Sequence, residues 1–539
     1  MACILIKLPE ACAIMVRYKG KDRTVVRVLR DQVGRFPDGL LIHTESRDYS
    51  RKEVDKVSNR IAHGLQRLGV TKGATVLLML PNTEMYIFVW LGLAKLGAIE
   101  VPVHTAYKGQ MLSQAINESR ATVIIVHETF LAPLHAVQDQ LAILRNILVV
   151  SPGSAVPTFS TKCQVTSFDD CISDDDSALS IDPRYNDTLA LMYTSGTTGP
   201  SKGVLVTNAH AFEYANAVVD VLEIKDGDIY YAPLPLFHIA GQWAVVYAAL
   251  MSNASAVIKE TFSASTFWQD IERFKANVGF LMGAMATFIY KQPEHPNDAS
   301  NCLERLLLAP LVPNLDSFRK RFNVKISTCY ASTEANVPIV ASFEVKDPKQ
   351  CGIARKGWEV EIVDEDDEKV PAGVAGEIVV RPPEPWLTMR GYLNRADATA
   401  EAYRNTWLHT GDMGFRDAHG NFYFVDRMKD AIRRRGENIS SFEVEREVNA
   451  YPSVLESAAV AVKSEHTEDE IMIVVIPRQG KVIDPRELHQ FLAGRVPKFM
   501  IPRYIKIVGE LPKTHTGKIQ KNQLRDSGSQ GRWDALAPD

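Results

Sequence analysis

The sequence predicts an α/β protein in two unequal parts: a large, multi-layer α/β N-terminal domain with a β-rich subdomain, then a small α+β C-terminal domain. Three observations carry this expectation. Short apolar runs alternate with helical stretches through the first half and again from residue 188 to about 340. Beyond Gly357 the pattern changes to short strands separated by turns, and after residue 430 helix and strand signals recur over about 110 residues, enough for a small separate unit. At 539 residues, 46% hydrophobic and 23% charged, the composition is globular and leaves room for three or four folding units of roughly 150 residues.

In chain order, residues 1–16 read as an irregular extension rather than a signal sequence, because Lys7, Pro9 and Glu10 interrupt the apolar runs. Val54, Val57, Ile61, Leu65 and Leu68 recur at helical spacing over 50–69, with Gly69 placed to cap the end. A strand at 75–80, helix at 85–96, strand at 98–103, helix at 108–118 and strand at 122–127 follow, implying a mostly parallel core sheet. Residues 85–103 form the most apolar long segment, yet Lys95, Glu100 and Pro102 lie inside it, so no membrane span is expected. Residues 151–187 read as an irregular connection, 359–363, 376–381 and 421–425 as strands, and the acidic run 364–368 as a solvated hairpin tip. The last unit reads as helix 441–451, strands 457–462 and 470–477, helix 484–495 and strand 504–508.

Lys plus Arg number 61 against 65 Asp plus Glu, a net charge of −4 that disfavours nucleic acid as a partner. The seven cysteines show no close C-x-x-C pair, which leaves a zinc site or disulfide framework unsupported and fits a cytoplasmic protein. The most informative segment is Tyr193-Thr194-Ser195-Gly196-Thr197-Thr198-Gly199-Pro200-Ser201-Lys202-Gly203-Val204, which follows an apolar run. Its three glycines let backbone N–H groups face an anion, its hydroxyls add donors and Lys202 supplies a point charge. This is a polyphosphate cradle, but no Walker A loop, since Ser201 rather than Gly precedes Lys202.

That loop resembles the signature of the adenylate-forming superfamily: acyl-CoA synthetases, amino-acid adenylation domains and beetle luciferases. Pro233-Leu234-Pro235-Leu236-Phe237-His238 is similar to the family's aromatic-His segment beside the acyl carboxylate, and Tyr330-Ala331-Ser332-Thr333-Glu334 to its Y-G-x-T-E motif. The resemblance implies that Tyr330 stacks on adenine, Thr333 meets the α-phosphate and Glu334 binds Mg²⁺. Trp407-Leu408-His409-Thr410-Gly411-Asp412 matches W-x-x-T-G-D, whose Asp holds the ribose hydroxyls, and Asp426–Asp430 resembles the domain junction. By resemblance Arg427 contacts ribose or phosphate and Lys429 is the hinge, dividing the chain into an AMP-binding domain at 1–428 and a mobile domain at 429–539. The stretch from Ile432 through Gly436 and Glu437 to Asn438 implies a thiol tunnel, and Pro512-Lys513-Thr514-His515-Thr516-Gly517-Lys518 places the catalytic lysine at Lys518. Ala331 and Cys329 stand where the family usually has glycine, and Gly283 where it often has proline.

What the resemblance implies is an ATP-dependent, AMP-forming acyl-CoA synthetase near crotonobetaine/carnitine-CoA ligases, acting on a fatty or bulky apolar acid. Its catalytic residues are Lys518, Glu334 and His238. Its nucleotide and CoA contacts are Thr194, Ser195, Gly196, Thr197, Thr198, Gly199, Lys202, Tyr330, Thr333, Asp412, Arg427, Lys429 and Gly436. ATP, Mg²⁺, coenzyme A and a small carboxylic acid are the expected ligands, and pairing into a homodimer is left open. The alternative is a free-standing adenylating enzyme that loads a carrier protein. An amino-acid substrate is disfavoured because no Asp or Glu lies between Pro233 and Tyr247. A non-catalytic relative would not need Lys202, Glu334, Asp412, Arg427 and Lys518 together. Small residues at Gly279, Gly283, Ala284 and Ala286, beside Met282 and Met285, suit either a roomy acyl pocket or close packing.

Overall fold

Ser50 starts the first long helix, Arg51–Arg67, with a reciprocal cap: its hydroxyl accepts from the Glu53 N–H (3.3 Å) while Glu53 Oε2 accepts from the Ser50 N–H (2.8 Å). Val54, Ile61 and Leu65 are buried, whereas Leu68, expected on the same face, is the C-cap and exposed. The next helix, Glu84–Leu96, is buried almost throughout and ends at Gly97, whose φ of +63° suits glycine. The computed structural model describes residues 18–151, 162–194, 202–312, 314–427, 432–434, 437–439, 441–463, 469–512, 519, 521–526 and 531–536.

Two charges inside the apolar segment are accommodated in different ways. The Lys95 ammonium donates to Asp55 Oδ1 (2.7 Å), Asp55 O (2.8 Å), Ser58 Oγ (2.7 Å) and Asn59 Oδ1 (2.6 Å), which ties this helix to Arg51–Arg67. Glu100 is fully buried on the strand Ile99–Pro102, where Gln242 Nε2 donates to both its oxygens (2.8 and 2.9 Å). Burial pushes its carboxyl up to about 8, against the opposing pull of the Gln242 bond. Glu100 is therefore a neutral core acid at pH 7, joining the sheet to a π-helical turn, Gln242–Tyr247, just after His238.

Among the described residues, one large sheet has thirteen strands and a second has eight. In the second, Thr75–Met79, Ile99–Pro102, Val123–His127 and Asn146–Val150 run parallel, and the hairpin Thr188–Thr194 with Lys202–Thr207 closes one side. In the first, Val278–Met282, Arg305–Ala309 and Lys325–Ser332 are parallel, followed by antiparallel Asn336–Ala341, Gln350–Ala354 and Phe422–Arg427. The largest core cluster joins the inner faces of both sheets to the helices Glu84–Leu96 and Asn208–Leu222.

The small C-terminal domain has its own sheet, Val454–Lys463, Asp469–Pro477, Tyr504–Ile507 and Trp533–Asp534, packed with the helices Ser441–Asn449 and Pro485–Ala493. A separate hairpin, Ile432–Arg434 with Glu437–Ile439, lies at its edge towards the large domain. One local expectation is corrected. Within the stretch expected to be irregular, Gln164–Ser167 adds an edge strand beside Asn146–Val150, followed by a helical turn, Phe168–Cys171. In the acidic run, Asp364, Glu365, Asp366 and Glu368 are exposed, but Asp367 is paired with Arg404 at 3.1 Å. Among the described residues no helix is long and apolar enough to cross a membrane.

The protonated core acid has a pH signature. Its folded value lies above the ordinary 4.5, so stability is lost as the pH rises between about 4.5 and about 8. Glu100→Gln should flatten that loss by a few kcal/mol, read as thermal unfolding midpoints at pH 5 and pH 8. Identical pH dependence in the two proteins would contradict the assignment.

Candidate active site

The end expected to take the nucleoside is built on two strands of the large sheet that three other strands separate in its order. Tyr330, on Lys325–Ser332, donates its hydroxyl to Asp412 Oδ2 at 2.6 Å, and its ring is tilted 27° from that of Phe424 with centroids 6.4 Å apart. Asp412 sits in Leu408–Arg416 directly opposite Arg427 in the ladder. Gly411 precedes it at φ +72°, donating its N–H to Glu377 Oε1 (2.8 Å), and the Asp412 N–H donates to Thr410 Oγ1 (3.2 Å). A flat aromatic surface beside a buried carboxylate is a fitting chemistry for a base and its ribose.

The end expected to take the phosphates joins the two sheets. Thr194 and Lys202 are opposite each other where the hairpin opens into the glycine-rich loop. Thr194 donates its hydroxyl to Glu334 Oε1 (3.3 Å), and Tyr392 donates to the same oxygen (3.2 Å). The Lys202 ammonium lies 4.6 Å from the centre of the Tyr392 ring. Tyr392 is fixed in turn: its strand, Gly391–Tyr392, pairs with Lys202–Thr207, and its N–H donates to Thr399 Oγ1 at 3.0 Å. The Met389 N–H donates to the Glu334 carbonyl (2.9 Å). Thr333 is buried beside this array.

The third end lies towards the small domain. His238 caps a helical turn, with Nδ1 accepting from the Ala240 N–H (3.2 Å). Gly241 is obligatory there, since a Cβ would stand 2.3 Å from the Pro235 carbonyl oxygen. The small residues beyond it serve packing at two positions: a Cβ on Gly283 would meet the Pro310 oxygen at 2.9 Å, and one on Gly279 the Leu303 and Leu306 side chains at 3.1 Å. Met282, Met285, Ala309, Cys329, Ala331 and Phe237 are partly buried against the main core cluster.

The structure thus brings Thr194, Lys202 and Glu334 together, and Tyr330 with Asp412 and the Arg427 backbone. Ser195, Gly196, Thr197, Thr198, Gly199, Lys429, Gly436 and Lys518 lie outside the described residues. Tyr392, Glu377 and the Glu100–Gln242 pair escaped the sequence reading. For Tyr392 a signal existed, the Gly391-Tyr392 pair with Thr399 seven residues on, while Glu100 was read only as a break in an apolar run.

The Tyr330–Asp412 pair, the contact of Thr194 and Tyr392 with Glu334 and a small C-terminal domain fit an adenylate-forming enzyme. The AMP-binding enzyme family matches residues 29–393, its C-terminal domain matches 443–518, and the chain belongs to that family. A crotonobetaine/carnitine–CoA ligase of Escherichia coli O17:K52:H18 (strain UMN026 / ExPEC) is 32% identical over 487 residues, covering 88% of this chain and 93% of the relative. The fold is also that of o-succinylbenzoate CoA synthetase from Bacillus subtilis bound with its product analogue (TM-score 0.78, 24% identity, 93% and 98% of the two chains). ATP-bound MatB from Rhodopseudomonas palustris gives a TM-score of 0.69 at 23% identity, covering 94% and 98%. The chain is an AMP-forming acid–thiol ligase that uses ATP and CoA.

Tyr392 touches both charged groups at the phosphate end, so it should matter to ATP use. Tyr392→Phe keeps the ring over Lys202 and loses the bond to Glu334; kcat/KM for ATP should fall about tenfold. Tyr392→Leu removes both contacts and should fall further. ATP titration of AMP formation reads the effect, and a Phe variant equal to wild type would contradict it.

Proposed function

We propose that this enzyme activates a fatty or bulky apolar carboxylic acid as its acyl-adenylate and transfers the acyl group to the thiol of CoA. A carboxylate oxygen attacks the α-phosphorus of ATP, forming a P–O bond as the bond to pyrophosphate breaks. The thiol sulfur then attacks the acyl carbonyl, the C–O bond to AMP breaks, and the thiol proton is released. The observation that carries this reading is the convergence of Thr194, Lys202, Tyr392 and Glu334 at one end of the Tyr330–Asp412 pair.

Each group has a task in the first step, where an anion must approach a polyanion and catalysis is mostly positioning and charge neutralisation. Tyr330 and Asp412 take adenine and ribose, Lys202 the outer phosphates, Thr333 the α-phosphate, and His238 borders the acyl carboxylate. Among the described residues no group of three metal-binding side chains occurs, but the Glu334 carboxylate fits Mg²⁺, which commonly takes one or two carboxylates plus phosphate oxygens. When bound, Mg²⁺ would neutralise phosphate charge. Lys518 is assigned to the carboxylate and α-phosphate oxygens, Arg427 to ribose or phosphate, and Lys429 to the hinge between domains 1–428 and 429–539.

The hairpin Ile432–Arg434 with Glu437–Ile439, in the stretch that the resemblance assigns to the thiol tunnel, meets the large domain through Glu437, which supports reading this domain arrangement as that of the second step. Met282, Met285, Cys329, Ala331 and Phe237 support an apolar acid, with methionine adapting to its shape. The CoA-ligase relatives favour CoA over a carrier protein. Use of ATP and CoA and the reduced thiols of Cys171, Cys302 and Cys329 suit the cytoplasm.

AMP release with ATP, Mg²⁺ and a panel of short, long-chain, aromatic, steroid side-chain and betaine-like acids, with and without CoA, tests this reading. CoA-dependent acyl-CoA from an apolar acid is expected; acyl-AMP without thioester would favour a carrier-protein acceptor, and no ATP cleavage with any acid would overturn the reading. Lys518→Ala should slow adenylation about a hundred- to thousandfold while sparing thioester formation from supplied acyl-AMP. Equal loss in both would refute the assignment of Lys518.

A further inference from the structure

His104 stands where the large domain meets the small one, two residues beyond the strand Ile99–Pro102. Its ring centre is 4.4 Å from Phe237, 5.5 Å from the stacked Tyr107 and 4.8 Å from Phe499 of the small domain. Its Nδ1 accepts from the Ala106 N–H (3.1 Å), so Nε2 carries the proton and donates to Glu437 Oε1 at 3.3 Å. Glu437 belongs to the hairpin strand Glu437–Ile439 of the small domain. Burial works to raise the Glu437 carboxyl, but the hydrogen bond from His104 prevails and holds it below the usual range. It faces the two histidines as a carboxylate.

The segment after His104 extends the same contact. Met111 is buried in a cluster with Ile432, Ile439 and Val444 of the small domain, and the Lys108 ammonium donates to the Ala493 carbonyl at 3.2 Å. Tyr107 and Met111 also line a narrow cleft with Tyr193 and Glu443, immediately before the phosphate loop. The seat for the small domain is thus contiguous with both the acyl end of the site, through Phe237, and the phosphate end, through Tyr193.

We propose that His104 is a positioning residue that seats the small domain for thioester formation by holding the Glu437 carboxylate beside His238. This rests on the two-step reading above. His104 acts through Glu437 and through ring contact with Phe237 and Phe499. The contact spans the domains, so it belongs to the arrangement in which they meet this way and is lost when the small domain turns away. A contact made in one arrangement alone shifts the equilibrium towards it. Removing the imidazole should therefore depopulate the seated arrangement and slow the second step, leaving the first unharmed.

The full-length enzyme is tested as wild type, His104→Ala and His104→Gln, the last retaining an N–H donor. The two half-reactions are measured separately: pyrophosphate release with acid and ATP without CoA, and single-turnover thioester formation from supplied acyl-AMP and CoA. The Ala variant should lose about ten- to a hundredfold in thioester formation with pyrophosphate release within about twofold of wild type, and Gln should recover part of the loss. Equal loss in both steps, or none in thioester formation, would overturn the proposal. A substrate-free readout separates this from failure of the activity reading: site-specific fluorophores, one on each domain, report the interdomain distance. The Ala variant should shift that distribution away from the wild-type distance, and an unchanged distribution would overturn the proposal even if wild type turned over no acid at all.

Discussion

The site depends on one carboxylate being gripped from two sheets. Glu334 follows a strand of the thirteen-stranded sheet, yet both hydroxyls that donate to its Oε1, from Thr194 and Tyr392, come from strands of the eight-stranded sheet. A carboxylate that accepts two hydroxyl hydrogen bonds is held in orientation as well as in charge. Because the Tyr392 ring also carries the Lys202 ammonium, an acid and a base of opposite task share one aromatic support. Separation of the two sheets would disperse the phosphate end, which gives the core between them a functional as well as a structural role.

Much of this architecture was legible in the sequence because its periodicities are simple. The helical spacing of Val54, Ile61 and Leu65 and the unbroken apolar run beginning at Thr75 each admit one reading, and the structure places helix and strand there. The expectation for the nucleotide residues rests on a different signal: a phosphate cradle needs glycines, hydroxyls and a cation within a few residues of one another, and of that loop the structure describes Thr194 and Lys202. Tyr392 and His104 were not legible, because their meaning lies in partners far away in sequence. Tyr392 acquires its role from Glu334, 58 residues away, and His104 from Glu437, 333 residues away. The strand Gln164–Ser167 was missed since an edge strand needs few apolar residues; its pattern is only partly buried.

The chain's departures from the family pattern find physical readings at Gly283 and Cys329. Gly283 lies so close to the Pro310 carbonyl that a side chain would collide with it, and Gly279 similarly lets Leu303 and Leu306 approach. These glycines shape the wall by letting elements close up rather than by leaving space. At Cys329 burial pushes the thiol up to about 12, with Cys351 adding to the effect, so it stands as a neutral, polarisable filler beside Tyr330. The charges within the apolar segment follow the same economy: Lys95 has four acceptors within reach of its three N–H donors, and burial raises the Glu100 carboxyl beside Gln242.

The central claim is that acyl activation proceeds by attack of a carboxylate oxygen on the α-phosphorus of ATP at the site between the two sheets. It is tested most directly by following that oxygen. With an acid labelled with ¹⁸O in its carboxylate, one turnover to the thioester should leave one ¹⁸O atom in AMP and none in pyrophosphate, read by mass spectrometry. Label in an inorganic phosphate product, formation of ADP, or AMP free of ¹⁸O would contradict the account.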